Sequence, residues 1–127
     1  MISYALVGTN DIAKASAFYD ALMPELGAQR LFVNSIGAVY YGLGFDKPFF
    51  GVTPPYDGNP ACVGNGTMIS LTARDKAQVD SFYAKALSLG GTDEGAPGPR
   101  GPEESNVYAA YFRDLDGNKL AIFKMGA

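Results

Sequence analysis

The 127-residue chain contains no histidine, no tryptophan and a single cysteine, Cys62. Without histidine there is no Ser-His-Asp or Cys-His nucleophile, no imidazole acid-base catalysis and no histidine metal ligand. One cysteine cannot close an internal disulfide, and it fits a reducing, cytoplasmic setting. A catalytic Cys62 thiolate would need a Lys or Arg neighbour, since no histidine base exists. No apolar run approaches the roughly 18 residues that mark a membrane span. The opening Met1-Ile2-Ser3-Tyr4 has no basic segment ahead of an apolar one, so no signal peptide is expected. Lys and Arg number 10 against 13 Asp and Glu, a net charge of −3, with no basic stripe along the chain. Neither a nucleic acid nor a membrane is therefore expected as a partner.

What is present is an ordinary globular balance, 47% hydrophobic and 18% charged. A chain of this length buries enough surface to fold as one domain without staples. An internal repeat organises it. Asp11 precedes Phe18-Tyr19 at the same spacing at which Asp75 precedes Phe82-Tyr83, half a chain further on. Each aspartate follows a strand-like run, Ile2 to Val7 in one half and Thr67 to Ala73 in the other. In the second run Ile69, Leu71 and Ala73 alternate with Met68, Ser70 and Thr72, the period of a sheet with one face on a core.

Asp11 and Asp75 are candidate N-caps, because a short carboxylate accepts the free N–H groups of a first helical turn. Ile12, Ala15, Phe18, Tyr19 and Leu22 then share one helix face, as do Val79, Phe82, Tyr83, Ala86 and Leu87 in the second half. Pro24 and Gly27 end the first helix and Gly90-Gly91 the second. Short strands follow: Leu31 to Ser35, Ala38 to Gly44 and Pro48 to Thr53, then Thr92 to Ala96, Val107 to Arg113 and Lys119 to Lys124. Each half thus reads strand-helix-strand-strand-strand. The turn-rich residues 54 to 65 read as a linker between a module at about 1 to 55 and one at 66 to 127. A Pro- and Gly-rich stretch, Gly95 to Ser105, reads as a flap.

Three stretches carry a family resemblance: the TNDIAKASAFYDAL opening, the NGTMISLTARD strand with its FYAKAL helix, and YAAYFRDLDGNKL near the C-terminus. In this order and spacing the chain resembles the vicinal oxygen chelate superfamily, which includes glyoxalases, bleomycin-resistance proteins and extradiol dioxygenases. Leu115 stands where that family's Asp-Pro-Asp-Gly-Asn hairpin has proline. The resemblance implies an α+β fold: two βαβββ modules form a curved eight-stranded sheet cupped around a pocket, with the helices outside. It also implies a homodimer. Members usually hold a divalent metal on the first and last strands of each module. Those positions fall here on Tyr4, Met68, Ala121 and the vicinity of Phe49 to Gly51, which offer no metal-binding set. No metal or other cofactor is therefore expected, unless Asp, Glu or Tyr side chains supply non-standard ligands.

The cup is expected to be aromatic. With Asp116-Gly117 as a two-residue turn, Phe112 would pair with Ala121 and Ala110 with Phe123. Tyr108, Phe112 and Ala121 would then share the cup with Tyr4 and Met68. One of Tyr40 and Tyr41, and one of Phe49 and Phe50, would join them; Tyr41 and Phe50 are taken as the candidates. These rings either fill a small cup or bind a flat ligand. Arg100, in the flap, is a candidate to grip an anionic group. Glu103 and Glu104 are adjacent loop carboxylates that read as solvated. Asp114-x-Asp116-Gly117-Asn118 lacks the EF-hand spacing and reads as a hairpin turn. No catalytic residue can be named. The leading expectation is a metal-free protein that binds a small apolar or aromatic molecule. The alternatives are a glyoxalase-related lyase or dioxygenase with non-standard metal ligands, and a regulatory or interaction subunit.

Overall fold

The structure is a computed structural model that describes residues 1 to 126. It divides into two units, Met1–Asn65 and Gly66–Ala127. The first contains strand β1 (Tyr4–Gly8), helix α1 (Ile12–Leu22), and strands β2 (Gln29–Val33), β3 (Val39–Gly42) and β4 (Phe49–Thr53). The second contains β5 (Ile69–Thr72), α2 (Lys76–Ser88), β6 (Thr92–Arg100), β7 (Val107–Arg113) and β8 (Lys119–Met125). The repeated strand-helix-strand-strand-strand order is therefore present in an α+β fold. The strands pair as two four-stranded mixed sheets, β1-β4-β3-β2 and β5-β8-β7-β6.

Both helices begin as their caps dictate. The Asp11 carboxylate accepts from the Lys14 amide at 3.1 Å, and Asp75 from the Gln78 amide at 2.8 Å. Gln78 in turn reaches back to accept from the Arg74 amide at 2.8 Å, a relative of the capping box. Helix α1 runs into a 3-10 turn, Met23–Leu26, that stops at Gly27 with φ of 75°, a left-handed conformation that suits glycine. Phe18, Tyr19 and Leu22 are buried on the inner face of α1, and Val79, Phe82 and Ala86 on that of α2. Each face packs on one side of its own sheet: Tyr19 meets Tyr41 and Phe50, and Phe82 meets Phe112. The other side of each sheet is free of its helix and is called here the open face.

Strand β6 extends well past the expected Ala96. It takes up Pro97 and Pro99, which an edge strand tolerates because only one of its edges is bonded. The expected flap shrinks to residues 101 to 106, with a 3-10 turn at Glu103–Ser105. Residues 54 to 65 contain no strand or helix, but they are fastened to the first unit. The Asn10 side chain accepts from the Ala61 amide at 2.6 Å and donates to the Ala61 carbonyl at 3.2 Å.

Candidate functional site

Register decides which residues reach each open face. Strands β1 and β4 run parallel with Tyr4 opposite Phe49 and Ala5 opposite Phe50, while Tyr40 of β3 faces Gly51 and Tyr41 faces Phe50. Partners across a ladder point the same way. Tyr41 and Phe50 therefore belong to the helix side, and Tyr4, Tyr40 and Phe49 to the open face. The expectation that Tyr41 and Phe50 line the cup is corrected accordingly.

Tyr41 is an anchor for α1. Its single hydroxyl proton goes to the Asp20 carboxylate at 2.8 Å, and the Ser16 carbonyl lies 3.1 Å from the same oxygen. Arg30 of β2 closes a two-pronged pair on the same carboxylate, at 2.7 and 2.8 Å. That pairing holds the Asp20 carboxyl below its ordinary range. Burial, then the bond to Asp20, drives the Tyr41 hydroxyl far above its ordinary range.

The open face of the first sheet carries five rings. Tyr4 stacks on Phe49 at 5.2 Å with 9° between planes, and Phe32 stacks on Tyr40 at 4.3 Å with 6°. Tyr40 meets Tyr4 and Phe49 edge-on, both at 5.8 Å. Phe45, from the β3–β4 turn, closes on Phe32 at 5.6 Å and Phe49 at 6.3 Å. Tyr4, Phe32 and Phe45 remain 47%, 38% and 66% exposed. The floor beneath it is Gly51, where an added Cβ would lie 2.7 Å from Leu6 Cδ2 and 2.9 Å from Tyr40 Cδ1. Glycine is needed there so that the Tyr40 ring can lie against the backbone.

The second sheet revises the expected pairing. Asp114 and Asn118 close the β7–β8 connection, with the Asp114 amide donating to the Asn118 carbonyl at 2.9 Å and Gly117 left-handed at φ of 88°. The turn is therefore Leu115 to Gly117, not Asp116-Gly117 alone, and Phe112 pairs with Leu120 while Tyr111 pairs with Ala121. A shift of one residue on one strand changes which side chains share a face. Phe112 is fully buried against Phe82, 5.9 Å away, on the helix side. Tyr108 lies there too, its hydroxyl donating to Asp80 of α2 at 2.7 Å. That bond, with some burial, raises the hydroxyl above its ordinary range.

The open face of the second sheet carries Ala121, Phe123, Tyr111 and Ala109, with Ser70 and Thr72 of β5 in register beside Ala121 and Phe123. Met68, half-exposed just ahead of β5, has the same parity. Arg100 reaches this face, its guanidinium 5.4 Å from the centre of the Tyr111 ring. Of the residues named from the sequence, Tyr4 thus stands with the first open face, and Met68, Arg100 and Ala121 with the second. Tyr41, Phe50, Tyr108 and Phe112 stand on the helix sides. Sequence reasoning missed Phe32, Phe45, Tyr111 and Lys119, and it left Tyr40 and Phe49 as unchosen alternatives. The in-register partner of Tyr4 was the signal that separates Phe49 from Phe50.

The fold also settles the kinship of the chain. Over 98% of both chains it superposes, with a TM-score of 0.86 and 37% identity, on a glyoxalase/bleomycin resistance protein from Albidiferax ferrireducens T118. The chain belongs to the glyoxalase/bleomycin resistance protein family. A glyoxalase/bleomycin resistance protein/dioxygenase family enzyme from Burkholderia phytofirmans PsJN shares the fold at 22% identity, with 98% of both chains covered and a TM-score of 0.71. So does lactoylglutathione lyase from Agrobacterium tumefaciens, at 22% identity and a TM-score of 0.67, over 98% of this chain and 92% of that one. No protein-family model matches the sequence, and a search of curated proteins finds no match.

The divalent metal that the glyoxalase/bleomycin resistance resemblance implies does not suit the side chains at its positions. Tyr4 is stacked on Phe49, and Ala121 presents only a methyl group. Met68 adds a thioether, and none of the four offers a carboxylate, imidazole or thiolate. Among the described residues no three His, Cys, Asp or Glu side chains converge in a group able to hold a metal ion. No helix among the described residues is long and apolar enough to cross a membrane.

Proposed function

We propose that this glyoxalase/bleomycin resistance family member works without a metal and binds a small, flat, apolar or aromatic molecule on the open face of its first sheet. The observation that carries the reading is the cluster Tyr4, Phe32, Tyr40, Phe45 and Phe49, stacked in pairs yet with three rings substantially exposed. Exposed, ordered rings on a rigid sheet favour planar ligands by stacking, and they order few rotamers on binding. Two tyrosine hydroxyls give the patch polar points for orientation, and Asn34 already holds that of Tyr40 at 3.4 Å. A homodimer and a cytoplasmic location, both carried over from the sequence reading, complete the proposal.

A screen of planar aromatic fragments by nuclear magnetic resonance tests it. The expected result is saturable binding that Tyr4→Ala and Phe49→Ala each weaken about tenfold. A library with no saturating member, or binding indifferent to both substitutions, would overturn it. The rival reading, a lyase or dioxygenase with non-standard ligands, requires a retained ion. Incubation with Mn²⁺, Fe²⁺, Ni²⁺ and Zn²⁺ followed by desalting and elemental analysis decides between them, with no retention expected. Light scattering tests the dimer.

A further inference from the structure

The two open faces differ in charge. The first is uncharged in its ring cluster, whereas the second gathers Arg100, Arg113 and Lys119 in a chain whose net charge is −3. Arg113 is engaged: it pairs with Glu94 and donates to the Gly117 carbonyl at 2.9 Å. Arg100 and Lys119 are different. Their cationic groups lie 5.4 and 5.6 Å from the centre of the same Tyr111 ring, and among the described residues neither forms a salt bridge. Glu94 feels Lys119 only through space. Both residues are partly buried. A partly shielded cation that forms no salt bridge favours an incoming anion.

The Arg100 guanidinium is held in place. Nη1 donates to the Pro99 carbonyl at 3.1 Å and Nη2 to the Ala96 carbonyl at 2.6 Å, which leaves the remaining N–H groups of its fork available. The backbone beneath lacks side chains at Gly95 and Gly98. A Cβ at Gly98 would come 3.1 Å from Arg100 Nη1, and one at Gly95 would come 3.4 Å from Nη2 and 3.0 Å from Tyr111 Cδ2. Gly95 also has φ of 156°, a backbone conformation that a residue with a side chain rarely adopts. A guanidinium laid on a ring and pinned at one edge is pre-organised for a planar or tetrahedral oxyanion at the other.

We infer that Arg100 and Lys119, set over Tyr111, form an anion subsite on the open face of the second sheet for the carboxylate or phosphate of a small molecule. The subsite does not depend on the aromatic face of the first sheet. The test is an amide and arginine Nε–H titration of the full chain with sodium acetate and with inorganic phosphate, against sodium chloride at matched ionic strength. The expected result is a saturable shift at Arg100, Gly98 and Tyr111 with at least one of the two oxyanions, and whichever saturates names the source. Arg100→Ala weakens it at least tenfold. Arg100→Lys weakens it several-fold, because a point charge lacks the fork, and Lys119→Gln also weakens it several-fold. Lys14→Ala on the first unit leaves it unchanged. The amide spectra of the conservative variants report whether the fold is intact. No saturation with either oxyanion, or shifts that persist in the Arg100→Ala, Lys119→Gln double variant, would overturn the subsite.

Discussion

Tyr4 and Phe49 stack across the parallel β1–β4 pair with their ring centres 5.2 Å apart and their planes within 9°. Register puts both residues on the open face, where their rings are free to meet a ligand. Removing either ring should therefore affect ligand binding more than folding. Tyr4→Ala is expected to cost about 1 kcal/mol of stability, in line with aromatic pairs at partly exposed sites. The check is a urea titration beside the fragment titration.

Gly51→Val tests the floor. The added carbons enter space held by Leu6 and Tyr40, so the Tyr40 ring must move. Overpacking of this kind destabilises by about 1–3 kcal/mol. The variant should also lose fragment binding, and a denaturation midpoint read beside a binding isotherm separates the two effects.

Phe112→Ala probes the opposite side of the second sheet. Phe112 is fully buried against Phe82. Truncation should cost about 3–5 kcal/mol. Whatever fraction remains folded should bind an aromatic fragment as the parent does, because this ring belongs to the core of the other unit. A loss of affinity without a loss of stability would place Phe112 in a binding site instead.

The Tyr41–Asp20–Arg30 group predicts a pH response with a definite sign. Tyr41 stays protonated in the folded chain to a higher pH than its ordinary value of 10.0. The stability it contributes is complete below pH 10 and is lost as the pH rises beyond it. Asp20 is held low by Arg30, so its contribution is present above the ordinary value of 3.8 and fades as the pH falls through its lowered folded value. Both partners of that ion pair are partly exposed, with side chains 43% and 42% accessible, so screening limits the acid-side effect to well under about 1 kcal/mol. Thermal melts from pH 7 to 11 should show a falling midpoint in the parent and a flatter one in Tyr41→Phe.

The elements were legible from the sequence because their causes are local. Asp11 and Asp75 cap their helices, Gly27 ends a turn, and the repeat doubles each signal. The faces were not legible, because they depend on a single residue of register. Asp114 accepts from the amides of Asp116 and Asn118 at 3.0 and 2.9 Å, which draws Leu115 into the turn. This moves Ala121 from the partner of Phe112 to the partner of Tyr111. Tyr40-Tyr41 and Phe49-Phe50 posed the same problem, since adjacent aromatics of one type satisfy either parity. Only the parallel partner of Tyr4 separates them. The reach of β6 escaped notice because Pro97 and Pro99 read as loop residues until the strand is known to lie at an edge.

The most direct test of the account is an aromatic ring spectrum of the chain, titrated with the best planar fragment. Tyr4, Tyr40 and Phe49 should shift together and saturate, while Tyr41 and Phe50, one residue away along the chain, should stay in place. Shifts centred on Tyr41 and Phe50, or no saturating shift on any of the five rings of the open face, would contradict it.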